Sequence, residues 1–243
     1  MTVRRRADRL LVERGLFESR AKAQAAIAAG RVIADERLVV KASEEIPVNC
    51  TLRAEAAFPY VSRGGVKLAA ALEHYRFDPR NRVCLDVGAS TGGFTDLLLQ
   101  RGARRVYAID VGHDQLHPSL RAKSEVVSIE ATDIRRLDRT RLRELPDLIV
   151  VDVSFISLKA VLPATLALAG APAQLVALIK PQFEAGRHAI KRGIVRDPEI
   201  HAAICNDVTA LVESLGWHPI DAISSPLLGG DGNREFLLGA VCG

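Results

Sequence analysis

The stretch Cys84-Leu-Asp-Val-Gly-Ala-Ser-Thr-Gly-Gly-Phe94 decides the fold of this chain. Its apolar residues predict a buried strand that ends at Asp86, and the glycines after it predict a turn into a helix. A second apolar run ends in another acid, Asp110. Strand, glycine turn and helix in this order are typical of α/β folds that bind nucleotide-like ligands.

Further apolar runs follow at the spacing of strands, with helical patterns between most of them, notably over 157–168 and 198–215. Near-continuous Val, Ile and Leu runs indicate strands that are buried on both faces, so the sequence predicts a mostly parallel, doubly wound sheet. The predicted strands are Arg82–Asp86, Arg105–Asp110, Glu125–Ile129, Leu148–Asp152, Leu175–Lys180, Pro219–Ser224 and Glu235–Val241.

The composition is that of a globular protein, with 48% apolar and 26% charged residues. No apolar run approaches the roughly 18 residues of a membrane helix, and the basic N-terminus lacks the apolar core of a secretory signal. The four cysteines form no C-x-x-C pair, so we expect reduced thiols and a cytoplasmic location. The net charge of +4 comes mostly from arginine, which suits phosphate contact but does not by itself decide for a nucleic-acid partner.

Residues 1–56 are predicted to form a separate small unit. One helix is predicted over Arg5–Arg14, ending at Gly15, and a second over Arg20–Ala29 with Ser19 as its N-cap. Two short strands, 31–34 and 37–40, follow around the polar turn Asp35-Glu36.

The order E-R-G-L-F-E-S-R-A-K-A-Q-A-A-I-A-A-G-R-V-I resembles the small α+β RNA-binding domain named after ribosomal protein S4. The turn Asp35-Glu36 departs from the Asn-Gly usual there, which questions how tight the hairpin is. The alternative is an accessory domain with a solvated basic face. The resemblance implies that a helix face and the hairpin dock on structured RNA, with RNA-binding candidates Arg4, Arg5, Arg6, Arg20, Lys22 and Arg31.

Residues 57–62 are predicted to be a linker, with Ser62 as the cap of the next helix, and residues 63–243 a catalytic domain. Its glycine turn lacks the second glycine of the dinucleotide fingerprint G-x-G-x-x-G, because Ala89 and Ser90 follow Gly88. Asp86 is not part of that fingerprint either, and it suits a cofactor with an ammonium group and no pyrophosphate. S-adenosylmethionine (SAM) has both properties, so we favour it over a nicotinamide or flavin cofactor.

In this interpretation Asp86 meets the ammonium group, Asp110 the ribose hydroxyls and Asp133 the adenine amine. The predicted cofactor-binding residues are Asp86, Gly88, Ser90, Gly92, Gly93, Phe94, Asp110 and Asp133.

Four ionisable residues are candidates for the catalytic site, and three of them are predicted at the rim where the strands end. Asp152 and Lys180 end apolar strands, Lys67 lies in the first turn of a helix that leads down to the first strand, and Glu235 begins the last strand. A hydroxyl is a poor nucleophile until it is polarised or deprotonated, and a lysine serves as base only when neutral. We expect Lys180 to be the base, Lys67 the neighbouring cation and the two acids their orienting partners, with no metal.

The order Lys67, Asp152, Lys180, Glu235 matches the tetrad of the FtsJ-like ribose 2′-O-methyltransferases. With LDVGASTGGFTD, DVSFISL and IKPQFEAG, the whole chain resembles the TlyA-type, or haemolysin A, methyltransferases of ribosomal RNA. The resemblance implies a Rossmann-like seven-stranded sheet whose last strand is antiparallel. It also implies 2′-O-methylation of a cytidine in 23S rRNA; the broader type, which also acts on 16S rRNA, has a C-terminal extension, and this chain stops at Gly243.

Three rival functions make different demands on the sequence. A membrane-lysing protein needs an insertion segment. A small-molecule methyltransferase does not need residues 1–56, and a non-catalytic RNA-binding factor does not need Lys180.

Two other features leave alternatives open. The basic stretch Glu184–Asp197 is a lid, an RNA contact or an ordinary surface loop, and Phe155 is a candidate for stacking on a base. Trp217 fits the core, and His113 and His117 lack a third metal ligand.

Overall fold

A computed structural model describes residues 3–186, 189–190, 192–229 and 232–243. The chain divides into two compact units, Met1–Pro59 and Tyr60–Gly243.

The first unit packs two helices against short strands. Strand β1 pairs antiparallel with β4, while β2 pairs antiparallel with both β3 and β5. Its core is formed by apolar side chains of both helices, such as Leu11 and Ile27, with Val32 and Ile46 from the strands. The elements are β1 (Arg4–Arg6), α1 (Ala7–Glu13), α2 (Arg20–Ala28), β2 (Val32–Ala34), β3 (Arg37–Leu38), β4 (Glu45–Pro47) and β5 (Leu52–Ala54).

Two details of this unit differ from the sequence prediction. The predicted helix 5–14 begins only at Ala7, because Arg4–Arg6 pair with Glu45–Pro47 as a strand. The turn Asp35-Glu36 is tight: both residues have positive φ, 46° and 66°, and Ala34 pairs directly with Arg37. This is the backbone of a type I′ hairpin, formed here without the usual Asn-Gly. Ser19 caps α2 as predicted, since its side chain accepts a hydrogen bond from the Lys22 amide.

The second unit is built on one sheet of seven strands in the order β11-β12-β10-β9-β6-β7-β8. Neighbours from β8 to β10 are parallel, and β12 is antiparallel to both β10 and β11, so the predicted fold class is confirmed. The elements are α3 (Gly64–Tyr75), β6 (Val83–Val87), α4 (Gly93–Gln100), β7 (Arg105–Ile109), α5 (Pro118–Arg121), β8 (Val126–Ile129), β9 (Leu148–Val151), α6 (Leu158–Leu166), β10 (Ala173–Ile179), α7 (Pro181–Glu184), α8 (Pro198–Ser214), β11 (His218–Ser224) and β12 (Phe236–Cys242).

Helices cover both faces of this sheet. Leu68 and Leu97 belong to the cluster formed by α3 and α4, and Val161 and Val208 to the cluster formed by α6 and α8. Burial on both faces explains why the strand sequences are apolar without alternation. The carboxyl ends of the parallel strands meet at one edge, which is where the predicted catalytic residues lie.

The start of α3 corrects one prediction. Arg63, not Ser62, occupies the N-cap position, and no side chain caps this helix. Further along α3, the hydroxyl of Tyr75 donates to the carbonyl of Leu237 on β12 at 2.6 Å. The Tyr75 ring lies against Gly239, where a Cβ atom would come within 2.7 Å of it. Helix α3 is therefore fixed to β12 by one aromatic side chain.

Candidate active site

The glycine turn after β6 is shaped by close backbone approach. Gly88 has φ 83°, and a Cβ atom there would lie 2.5 Å from the carbonyl oxygen of Asp152. Gly92 has φ 98° and packs against Leu120, while Gly93 lies against Ser62. Because these positions have no room for a side chain, the turn packs closely against its neighbours and leaves space for a ligand at the carboxyl end of β6.

Asp86 lies beneath this turn. Strand β6 continues to Val87, so Asp86 is inside the strand and fully buried, between Ala108 and Val150 of the neighbouring strands. Its Oδ2 accepts a hydrogen bond from the Thr95 hydroxyl at 2.6 Å, and its Oδ1 has no partner among the described residues. Burial raises the pKa of Asp86 to about 7, with the charges of Asp152 and Asp110 adding to the effect.

A cavity of about 620 Å³ opens above the carboxyl ends of β6 and β7, and we call it the aspartate pocket. Gly88, Ser90, Asp110 and Asp133 line it. The Asp110 carboxylate is fixed by two backbone amides, accepting from Ser90 N and Gly112 N at 2.7 Å each. This volume lies within the range of about 300–1,000 Å³ that is usual for small-molecule sites.

Asp133 caps a short 3₁₀ turn at the same pocket. Its Oδ1 accepts from the Arg135 amide at 3.0 Å, and the Arg135 guanidinium lies 2.6 Å from its Oδ2. This guanidinium lowers the pKa of Asp133, which keeps the side chain an acceptor. An amino group of a bound ligand would therefore meet an ionised carboxylate.

A smaller cavity of about 250 Å³, which we call the amine pocket, adjoins the aspartate pocket; Gly88, Ser90, Asp152 and Ser154 line both. Lys67, Lys180 and Phe94 line the amine pocket as well.

The first amine of this pocket is Lys67. Its ammonium forms an ion pair with Glu235, and both side chains are almost wholly buried, with 10% and 3% of their surface exposed. The pair joins the start of α3 to the residue before β12.

The second amine is Lys180, directly after β10. Its Nζ lies 2.7 Å from Asp152 Oδ1 in an ion pair and donates a hydrogen bond to Ser154 Oγ at 2.8 Å. The Asp152 oxygen is too poorly aligned to count as a hydrogen-bond acceptor, so the contact is mainly electrostatic. Each amine thus has its own carboxylate.

The structure brings Lys67, Asp152 and Lys180 to one cavity, with Glu235 paired to Lys67. Gly88 and Ser90 line both pockets, and Gly93, Phe94, Asp110 and Asp133 line one of them, whereas Asp86 and Gly92 line neither. Sequence reasoning missed Ser154 as the partner of Lys180 and Thr95 as the partner of Asp86. A signal existed for Ser154, because it follows a strand end by three residues, as loop residues at such a rim do.

These residues fit S-adenosylmethionine. The glycine turn is a cradle that a Cβ atom would fill at Gly88, the aspartate pocket offers acceptors for hydroxyls and an amine, and Asp86 Oδ1 is a buried oxygen without a donor.

The predicted RNA-binding residues of the first unit all have partners. Arg4 donates to the Glu45 carbonyl at 2.6 Å, while Arg6 and Arg20 both meet Asp8. Three others form ion pairs: Arg5 with Glu13, Lys22 with Glu18 and Arg31 with Glu55.

The stretch 184–197 is partly described. Glu184 accepts hydrogen bonds from the Ser157 hydroxyl at 2.5 Å and from the Leu158 amide at 2.7 Å, which connects it to the start of α6. Arg187 and Lys191 lie outside the described residues.

Two aromatic residues differ in their exposure. Trp217 is buried in the core, as predicted. Phe155 is 92% exposed, has φ 65°, and its ring centroid lies 5.2 Å from that of Phe183.

Within the described ranges, no group of three His, Cys, Asp or Glu side chains is placed to hold a metal ion. His117 instead caps α5 by accepting from the Ser119 amide. No helix in the same ranges has the length and hydropathy needed to cross a bilayer.

An open sheet with this strand order, a glycine turn after its first strand and acids at the following strand ends defines the class of SAM-dependent methyltransferases. A solved methyltransferase that acts on magnesium protoporphyrin IX, from Synechocystis with bound S-adenosylhomocysteine, shares the fold, with a TM-score of 0.52 at 15% identity over 74% of this chain and 83% of that one. Residues 60–241 match the FtsJ-like methyltransferase family. The chain belongs to this family, and S-adenosylmethionine is its cofactor.

Relatives extend over nearly the whole chain. The 16S/23S rRNA (cytidine-2′-O)-methyltransferase TlyA of Mycobacterium tuberculosis is 43% identical over 98% of this chain and 90% of its own length. A solved protein of Streptococcus thermophilus that carries the name hemolysin is 40% identical, with a TM-score of 0.77 over 99% of this chain and 89% of that one. The resemblance to TlyA-type proteins predicted from the motifs is confirmed.

Proposed function

We propose that this chain methylates the ribose 2′-hydroxyl of a cytidine in ribosomal RNA, with 23S rRNA as the first substrate to test and 16S rRNA as the second. One observation carries the proposal: Lys67, Asp152 and Lys180 line a single cavity beside the glycine turn, and Glu235 pairs with Lys67. The activity of the TlyA relative supports the choice of a cytidine 2′-oxygen.

Lys180 is the residue that handles the proton of the 2′-hydroxyl. Bound S-adenosylmethionine supplies an electrophilic methyl group, and the hydroxyl needs its proton drawn away as its oxygen attacks. The Lys180 amine lies 2.7 Å from the Asp152 carboxylate, so a second proton acceptor stands directly beside it. Lys180 passes one of its protons to the Asp152 carboxylate and takes up the proton that the 2′-hydroxyl loses. The proton removed from the hydroxyl thus ends on the Lys180–Asp152 pair, beside the attacking oxygen.

Lys67 and Glu235 fix the geometry of the amine pocket and do not transfer a proton. The pair is almost wholly buried, so it keeps one fixed arrangement at the edge of the amine pocket. A fixed ammonium next to the reacting oxygen needs no reorganisation during the reaction, which is the main advantage of preorganised charge. Glu235 keeps that ammonium from being an uncompensated buried charge.

In the aspartate pocket, Asp110 accepts from the cofactor's ribose hydroxyls and Asp133 from its adenine amine. Asp86 provides negative charge beneath the turn for the cofactor's ammonium group. The remaining residues, which shape the turn and its walls, are Gly88, Ser90, Gly92, Gly93 and Phe94.

Phe155 serves as a platform for the target base. A phenylalanine with positive φ and 92% exposure is costly for a folded chain, and it lies next to Ser154, which contacts Lys180. Unstacked bases of RNA are commonly bound by aromatic rings. An exposed ring at this position can hold the base while its ribose enters the amine pocket.

The first unit is an S4-like domain that docks on ribosomal RNA in the cytoplasm, and the second is the methyltransferase domain. Arg4, Arg5, Arg6, Arg20, Lys22 and Arg31 supply contacts to the phosphates.

The test is transfer of tritiated methyl from S-adenosylmethionine to purified large and small ribosomal subunits, followed by mapping of the labelled nucleotide. We expect label in a cytidine of 23S rRNA that survives alkaline hydrolysis, because a 2′-O-methyl group blocks cleavage at that position.

Two variants complete the experiment. Lys180→Met is expected to abolish transfer, whereas Lys159→Met, which removes a lysine from an exposed 2.7 Å pair with Asp207, is expected to leave it unchanged. Label on a base, on a small molecule only, or on neither subunit contradicts the proposal.

A further inference from the structure

One carboxylate of the first unit serves two arginines. Asp8, in the first turn of α1, is fully buried. Its Oδ1 accepts from Arg6 Nε at 3.0 Å, and its Oδ2 accepts from Arg6 Nη2 at 3.1 Å and from Arg20 Nη2 at 2.8 Å. Gln24 Nε2 donates to the same Oδ2 at 2.8 Å. Asp8 thus joins β1, α1 and α2 at one point.

Both guanidinium groups are bound along the same edge. Arg6 and Arg20 each turn Nε and Nη2 toward Asp8, and the Nη1 group of each has no hydrogen-bond partner in the described part of the chain. The two side chains remain 39% and 49% exposed. Each arginine therefore keeps a free, directed donor group while its orientation is fixed.

The charge at this point is not balanced. Two guanidinium groups share one carboxylate, which leaves one net positive charge, whereas Arg5, Lys22 and Arg31 each pair with a different acid. The hydrogen bond from Arg6 is the main cause that lowers the pKa of Asp8, so the carboxylate stays ionised. Without the Asp8 carboxylate, the positive charges of Arg6 and Arg20 would repel each other and the two side chains would move apart.

We propose that Asp8 is a positioning residue that holds Arg6 and Arg20 together as a two-arginine site for a backbone phosphate of RNA. This rests on the proposed function, in which the first unit binds ribosomal RNA. A phosphate carries several acceptor oxygens and is bound best by guanidinium donors whose directions are already set. Asp8 sets those directions from inside the fold without touching the RNA.

The test compares two substitutions that change the net charge equally. Asp8→Asn and Glu13→Gln each remove one negative charge from α1, and each removes an ion-pair partner of arginine. If only total charge mattered, both would bind RNA more tightly. If Asp8 positions the two arginines, Asp8→Asn binds more weakly and Glu13→Gln binds as well as the wild type or better.

The measurement uses the full-length protein and a 23S rRNA transcript, with dissociation constants taken over a series of salt concentrations. Asp8→Asn is expected to weaken binding about tenfold and to lower the log–log salt slope by about one, the effect of losing one phosphate contact. In methyl transfer the KM for RNA rises while kcat and the affinity for S-adenosylmethionine stay unchanged. A merely structural role would not divide the kinetics in this way.

A second variant covers the case in which Asp8→Asn does not fold. Arg20→Lys keeps the charge but cannot make the two-point contact with Asp8, so it is expected to bind RNA nearly as weakly as Arg20→Ala. Wild-type affinity in Arg20→Lys, or unchanged or tighter binding in folded Asp8→Asn, overturns the inference. A wild-type protein that shows no salt-dependent RNA binding overturns the proposed role of the first unit, and the inference with it.

Discussion

Breaking the Lys67–Glu235 pair one residue at a time is expected to cost more than removing it whole. The two side chains are only 10% and 3% exposed, so Lys67→Met or Glu235→Leu leaves a buried charge without a partner. Such changes cost about 3–5 kcal/mol, whereas an apolar replacement of the whole pair is often nearly neutral. The double variant Lys67→Met/Glu235→Leu should therefore lose less than about 2 kcal/mol, although two independent effects would sum to about 6–10 kcal/mol.

Urea unfolding followed by tryptophan fluorescence measures this directly. The chain has a single tryptophan, Trp217, and it is buried in the same unit as the pair, so its signal reports the unfolding of that unit. In heating experiments each single variant should melt about 6–20 °C lower, at about 2–4 °C per kcal/mol for a chain of this size. All three variants should fail to transfer methyl groups.

The exposed pair Lys159–Asp207 is the matched control, with side chains 49% and 60% exposed. Its coupling should stay below about 1 kcal/mol. The reasoning about burial is refuted if the single variants at Lys67 and Glu235 cost less than about 1 kcal/mol, or if the double variant loses the sum of both.

Three further outcomes are expected. Lys180→Met should lower kcat at least about 100-fold, the scale of proton-transfer catalysis, with an unchanged affinity for S-adenosylmethionine by calorimetry; residual activity near wild type would exclude Lys180 from the chemistry. Gly88→Ala should cost about 1–3 kcal/mol and weaken cofactor binding, because its φ is 83° and its Cβ would lie 2.5 Å from the Asp152 carbonyl oxygen; a calorimetric isotherm equal to wild type would contradict this. Asp86 has its pKa raised to about 7, so the folded cofactor-free protein binds a proton that the unfolded chain releases near pH 4. The stability of the protein should fall between about pH 4 and pH 7, and Asp86→Asn should lack that fall in urea titrations; parallel curves would show that Asp86 does not titrate in this range.

The sheet was predictable because its central strands are buried on both faces and have unbroken apolar sequences. Each of the seven predicted strands lies within two residues of an observed one. The meeting of Lys67, Asp152 and Lys180 followed from the same prediction, since parallel strands have their carboxyl ends at one edge. The sequence predicted that the two acids orient the two lysines, but it did not indicate which acid pairs with which lysine: Lys67 pairs with Glu235, and Lys180 with Asp152.

Two short strands of the first unit, β1 and β4, were not predicted, although β2 and β3 were. Strand β1 consists of three arginines, and β4 is Glu45-Ile46-Pro47, in which Ile46 is the one β-branched residue. Each of the two is a strand because the other, about 40 residues away, pairs with it. The residues of a short strand do not indicate which distant segment pairs with it.

Asp86 shows how one residue changes a prediction. The sequence predicted that the strand ends at Asp86, but the strand continues to Val87, so Asp86 is buried inside it, beneath the turn, and lines neither pocket. Successive side chains of a strand point to opposite faces, so the end of a strand must be known to a single residue. Thr95 was missed for a different reason, because nothing in the sequence indicates that its hydroxyl donates to Asp86.

The contact of Tyr75 with Gly239 has a consequence for the amine pocket. Lys67 lies eight residues before Tyr75 on α3, about 12 Å along the helix, and Glu235 lies four residues before Gly239. A helix packed on a strand can slide along it unless a specific contact prevents the movement. Here the contact of the Tyr75 ring with the Gly239 backbone prevents it. A methyl group at Gly239 would lift the ring and shift the helix, and the ammonium would miss its carboxylate. The alignment of the reacting groups is thus set at a distance, by a residue without a side chain.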